Sequence, residues 1–236
     1  MSSNYEETLD KNFDKALELC FNEYSYSELI EFLKSGNIPE KQFSAIELSE
    51  LKNEQDAEIF ISNLINCDGK IREAVAQKFS EFVEIEEYRE YFSKFPLIFA
   101  QSTIDINANI SRMVIDGLAL MKNYENFAKT YAEKLVEYTE EAFDGLSKIV
   151  FRDKKYTINK QLFKLYWCLE GLNNYFNYIE SDKLGYILEQ SVKQTEYTIR
   201  EKVAQLLSND NLAEKYPNIV NILKEDDNYY VRFINL

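Results

Sequence analysis

The chain has 236 residues, enough for a substantial core, and carries 41 acidic against 27 basic residues, a formal net charge of −14. That charge repels nucleic-acid phosphates, and no run of bases offsets it. It suits a basic protein partner, or serves solubility alone. There is no histidine, which removes Ser-His-Asp and Cys-His catalysis, histidine general bases and nearly all mixed-ligand zinc sites.

Only 6 glycines and 3 prolines occur, too few for the many tight turns of an all-β chain of this length, so long helices are expected. The N-terminal segment, residues 1–7, is polar and carries two acids, Glu6 and Glu7, and no apolar stretch of signal-peptide length follows it. A helix precedes Gly36, and Pro39 opens the next, over about 39–51. Asp68-Gly69 separates a helix ending near Asn66 from one beginning at about Lys70. The longest apolar run, Phe95 to Ala100, is far shorter than a membrane span. A break over 153–157 precedes a long helix over 157–179, and Asn209-Asp210-Asn211 breaks the chain again. Cys20, Cys67 and Cys168 lie far apart among apolar residues and read as free, buried thiols. The expectation is a cytoplasmic, all-α protein forming one continuous domain over 1–236, with no linker and no membrane segment.

Internal repetition organises this helical pattern. Ile71-Arg72-Glu73, then Val75-Ala76-Gln77, recurs far downstream as Ile199-Arg200-Glu201, then Val203-Ala204-Gln205. Ile110, Val114 and Leu118, and Ile158, Leu162 and Tyr166, keep the apolar frame alone, and Val231-Arg232-Phe233 opens another copy. The steps between first apolar residues are 39, 48, 41 and 32 residues, each leaving room for a second helix and two turns. An aliphatic residue, an arginine, a small-and-aliphatic pair and a further aliphatic residue, with an acid a few residues ahead, resemble the second helix of a HEAT repeat. Asp68 stands ahead of Ile71-Arg72, Asp226 and Asp227 ahead of Val231-Arg232, and Glu196 ahead of Ile199-Arg200. The resemblance covers about residues 55–236, and residues 1–54 match it poorly. It implies an α-solenoid, a right-handed superhelix of stacked antiparallel helix pairs. By analogy with that family, the protein is a non-catalytic scaffold or adaptor that binds a protein on its concave face and needs no cofactor.

The candidate partner-binding residues are Arg72, Arg112, Phe163, Trp167, Tyr178, Arg200 and Arg232. The arginines either line a groove or each pair with the acid of the preceding turn. The recurring acid-to-arginine spacing favours pairing. In the long helix, Ile158, Leu162, Leu165, Leu169, Leu172, Phe176 and Ile179 form one apolar stripe. Phe163, Trp167 and Tyr178 lie on the opposite side, available to a partner or to the next repeat. The adjacent acid pairs, such as Glu86-Glu87 and Glu140-Glu141, point about 100° apart on a helix and read as solvated faces, not as a catalytic dyad. Two alternatives come from other classes. One is an acidic inhibitor that neutralises a basic protein. The other is an enzyme like the helical-repeat proteins that act on alkylated DNA or attach pigments, though the DNA version needs a basic groove.

Overall fold

The computed structural model describes the backbone over residues 2–148, 155–209 and 211–234, and side chains over 11–148, 160–209 and 211–234. Among the described residues every regular element is a helix. The chain divides into two compact units, Met1–Met121 and Lys122–Leu236.

The first unit contains α1 (Ser2–Cys20), α2 (Tyr26–Ser35), α3 (Ile38–Glu47), α4 (Glu54–Ser62), α5 (Gly69–Phe82), α6 (Glu86–Phe92), α7 (Pro96–Thr103) and α8 (Ala108–Leu118). Their starts follow local chemistry. Ser25 and Glu28 close a capping box on α2, and Asn37 and Glu40 close one on α3, satisfying amides that the first turn leaves unpaired. Pro39 and Pro96 occupy first-turn positions, where the missing N–H costs nothing. Gly36 ends α2 with ordinary negative φ, so left-handed backbone is not what requires it. A Cβ there would stand 2.6 Å from the Phe32 carbonyl oxygen and 2.9 Å from Glu40 Cβ.

Helix α3 packs against α1, α2 and α5, and α5 packs against α8, while α4 packs against α2 and α6. Aromatic rings fill the space between them. Phe79 lies 4.9 Å from Phe99 and 5.2 Å from Phe92, and Phe60 lies 5.4 Å from Phe82. Gly117 on α8 admits the Phe79 ring, since a Cβ would come within 2.6 Å of Phe79 Cε1.

The second unit contains α9 (Glu125–Ser147), α10 (Lys155–Leu172), α11 (Ser181–Ser191), α12 (Tyr197–Leu207), α13 (Leu212–Lys215), α14 (Pro217–Lys224) and α15 (Tyr229–Arg232). Helix α10 packs against α9 and α12, and α12 in turn against α11, α14 and α15. Buried Tyr131 and Tyr175 meet at 4.8 Å, with Phe127 stacked on Tyr131 at 5.7 Å.

Several boundaries differ from expectation. The long helix does not reach 179: α10 stops at Leu172, and a separate 3-10 turn covers Phe176–Tyr178. Asn173 and Asn174 break the helix, and the turn swings Tyr175 into the core against Tyr131. The Ile158 side chain and positions 153 and 154 lie outside the described residues, and the rest of the expected break, 155–157, is already helical in α10. Asp210 is likewise outside them, and its neighbour Asn211 has φ 24°. Helix α4 ends at Ser62 instead of near Asn66, and Asn66 takes the left-handed conformation, φ 58°. Of the cysteines, Cys168 is buried, Cys67 half-buried and Cys20 exposed. Cys20, and in part Cys67, depart from the expected burial; near Cys20, Phe13 and Leu17 on α1 and Phe21 just past it also face outward.

Candidate functional site

Four entry loops share one frame. Helices α5, α8, α12 and α15 each follow an N-cap residue (Asp68, Asn107, Glu196 or Asn228) and bury an aliphatic residue three positions on: Ile71, Ile110, Ile199 or Val231. The next position holds Arg72, Ser111, Arg200 or Arg232, and each reaches back to a carbonyl of its own entry loop. Arg72 Nη1 donates to Cys67 O, and Arg232 Nη1 to Asp226 O. Ser111 Oγ donates to Asp105 O at 3.1 Å, and Arg200 Nη1 to Gln194 O and Thr195 O at 2.9 Å each.

Arg72 and Arg200 also grip the entry loop of the next helix in this frame, that of α8 or α15. Arg72 Nε and Nη2 donate to the Asp105 carboxylate at 2.6 and 3.1 Å. Arg200 repeats the fork on Asp226 at 2.5 and 3.0 Å and adds a bond to Asp227 at 3.2 Å. Each aspartate also accepts the amide N–H two residues on, from Asn107 or Asn228, at 2.8 Å. Those asparagines in turn cap α8 and α15. Side-chain exposure is 16% and 8% for Arg72 and Asp105, and 13% and 5% for Arg200 and Asp226. The hydrogen bonds raise both arginines above their ordinary pKa, and the Arg200 bond holds the Asp226 carboxyl below its own.

These joints correct the expected pairing. Neither arginine bonds the acid of its preceding turn. The Asp68 carboxylate caps its own helix, accepting Lys70 N–H at 2.9 Å, and the guanidinium reaches forward to the next loop. Arg112 falls one position past the frame, where Ser111 stands, and is exposed, with no hydrogen bond or ion pair among the described residues. Arg232 is exposed beyond its bond to the Asp226 carbonyl.

Among the aromatic candidates Trp167 is buried, whereas Phe163 and Tyr178 are half-buried. Trp167 is 5% exposed, with Tyr166 edge-on at 5.0 Å and half-buried Phe163 at 5.8 Å, and its indole Nε1 has no hydrogen-bond partner among the described residues. Beside them Lys202 pairs with Glu170 at 2.5 Å and lies 4.8 Å from the Tyr166 ring centre. Burial works to lower the Lys202 pKa, but the Glu170 hydrogen bond and charge outweigh it and raise it. Tyr178 belongs to the 3-10 turn and donates its hydroxyl to Lys122 O at 2.8 Å. Of the seven candidates, Arg200 and Arg232 meet at Asp226, and Phe163 and Trp167 touch.

A recess of about 410 Å³ in the first unit combines acidic and aromatic walls. It lies where α1 and α3 end and α2 begins. Leu29 and Leu48, both buried, form its apolar lining. Half-buried Tyr24 and Phe43 wall it, their rings edge to face at 5.6 Å. Glu23, Glu47 and Glu50 are exposed at its rim, and no lysine or arginine lines it among the described residues. Tyr26 completes the wall: Lys52 Nζ sits 4.0 Å from its ring centre, and its hydroxyl donates to Asp56 at 2.6 Å. Burial, then the Asp56 hydrogen bond, raises the Tyr26 pKa. The sequence reading missed this recess because residues 1–54 fall outside the repeat pattern. The available signal was the stretch Glu23-Tyr24-Ser25-Tyr26, with tyrosines alternating among polar residues.

Among the described residues no group of three or more histidine, cysteine, aspartate or glutamate side chains is placed to hold a metal ion, and no helix is long and apolar enough to cross a membrane. No family model matches the chain, and no curated protein matches it. A search of solved structures finds a likeness to the crystal structure of an engineered protein, at TM-score 0.46 and 11% identity, covering 87% of this chain and 91% of that one.

Proposed function

We propose that the protein is a non-catalytic binding module of stacked HEAT-like helix pairs that works in the cytoplasm and engages a basic protein partner. In the first unit the succession α3, α5, α8 beside α2, α4, α6 supports the stacked-pair arrangement. In the second, α10, α12, α15 support it, as do the entry loops that recur in one frame. One helix pair cannot bury its own apolar faces, and neighbours in such a stack supply the missing cover.

The fate of the repeated cations carries the basic-partner reading. Arg72 and Arg200 are largely buried in internal joints. They offer little to an acidic ligand and leave a chain of net charge −14 whose glutamates are largely exposed. Such a surface attracts cationic proteins by long-range steering and repels phosphate backbones. Fluorescence anisotropy at low and high salt tests this with labelled deca-arginine and a labelled short DNA duplex. Deca-arginine binds and weakens steeply with salt, and the duplex stays free at low salt. Binding of the duplex, or no salt-dependent binding of deca-arginine, overturns the proposal.

A further inference from the structure

The recess beside α1, α2 and α3 gives that surface a specific receptor. We infer that it binds an arginine side chain of the basic partner, with the guanidinium stacked on the Tyr24 and Phe43 rings and its donors directed at the rim glutamates. The inference rests on the basic-partner reading and adds a place to it.

Three independent features converge there. Glu23 and Glu47 are exposed with no ion-pair partner among the described residues, whereas Glu50 is shared with Lys52, so a cation entering the recess meets two uncompensated carboxylates. Helix α3 terminates at its rim, at Glu47, while α1 ends at Cys20, two residues before the lining residue Asn22. The last carbonyls of a helix lack intrahelical donors and present partial negative charge. The opposing N-terminus of α2 does not cancel this. Its capping box engages it, with Ser25 N–H donating to Glu28 at 2.8 Å and Glu28 N–H to Ser25 Oγ at 3.4 Å. Finally, the walls are aromatic, and ring faces attract desolvated cations.

The chain already makes this kind of contact on the adjoining wall. Lys52 lies over the Tyr26 ring and pairs with Glu50 at 3.3 Å, a ring and a carboxylate sharing one cation. Tyr24 and Phe43 have no such cation among the described residues. A volume of about 410 Å³ falls within the range of ligand pockets and holds an arginine side chain with room for water. Arginine fits better than lysine. Its planar fork stacks on a ring and donates to two carboxylates together, whereas an ammonium does so as a point charge. The open, exposed rim suits a side chain presented from a protein surface.

Isothermal titration of the full chain with deca-arginine, deca-lysine and deca-citrulline tests the assignment. The double substitution E23Q/E47Q removes two rim charges, and F43L removes one ring. E86Q/E90Q removes the same charge from exposed positions on α6. Far-UV circular dichroism verifies that each variant is folded. Deca-arginine affinity falls about ten-fold or more in E23Q/E47Q and several-fold in F43L, but less than about two-fold in E86Q/E90Q. Deca-citrulline does not bind. Equal losses in the two glutamine doubles overturn the recess while leaving the basic-partner reading intact. Deca-lysine binding as tightly as deca-arginine overturns the arginine assignment. Failure of deca-arginine to bind the unsubstituted chain overturns both.

Discussion

Substituting Asp226→Ala removes the acceptor that joins α12 to the entry loop of α15. The Arg200 guanidinium loses two bonds, of 2.5 and 3.0 Å, and Asn228 N–H loses its acceptor at 2.8 Å. Arg200 keeps the Gln194 and Thr195 carbonyls and the exposed Asp227 carboxylate. Stranding one member of a fully buried ion pair costs about 3–5 kcal/mol. With Arg200 13% exposed and three acceptors still in reach, about 2–3 kcal/mol is expected. Differential scanning calorimetry reads this as a fall of about 5–10 °C in the transition of the second unit. A double-mutant cycle with Arg200→Ala should give a coupling of about 1–3 kcal/mol. The sign with pH follows from the depressed Asp226 pKa. The contribution is present above the unfolded carboxyl value of about 4 and is lost as pH falls through the lower folded value. A loss below about 0.5 kcal/mol, or an acid transition identical in Asp226→Ala and the unsubstituted chain, would refute the role assigned to the joint.

Other sites give sharper local readouts. Gly117→Ala drives a methyl against Phe79 Cε1 and within 3.2 Å of Val83 Cγ1 and should cost about 1–3 kcal/mol by thermal denaturation; an unchanged midpoint shows that the ring can retreat. Trp167, the only tryptophan and 5% exposed, should emit in the blue and resist acrylamide quenching until the second unit unfolds. Cys20 should react with a thiol reagent in the native state. Cys168, buried with its thiol pushed up to about 12, should react only on unfolding, and labelling at equal rates would contradict the burial. Arg112→Ala should shift stability by less than about 0.5 kcal/mol, in contrast to Arg72→Ala, which breaks the fork on Asp105.

Helicity was legible because three- and four-residue apolar steps and the Asn, Ser and Pro start signals agree along the chain. The position of the joints was legible too, since Ile71-Arg72 and Ile199-Arg200 share one local context. Their partners were not. Asp105 lies 33 residues beyond Arg72 and Asp226 lies 26 beyond Arg200, while Asp68 stood close by as a plausible decoy that the helix start had already claimed. Periodicity likewise carried the α10 stripe on to Ile179. Asn173 and Asn174 end the helix after Leu172 instead, and the long-range contact of Tyr175 with Tyr131 fixes the turn that follows. The recess was invisible for a related reason: Tyr24 and Phe43 are distant in sequence and meet only when α2 packs on α3.

The joints impose almost nothing on the chain between their halves. Between α5 and Asp105 run two helices, α6 and α7. Between α12 and Asp226 run the short α13 and α14, a different length of chain closing the same fork. The guanidinium recognises only the first residues of the next loop, an aspartate whose carboxylate is fixed by the amide two positions on. The latch therefore fixes where the next entry loop begins, while the intervening helices are held by their own packing, as Phe92 and Phe99 are against Phe79.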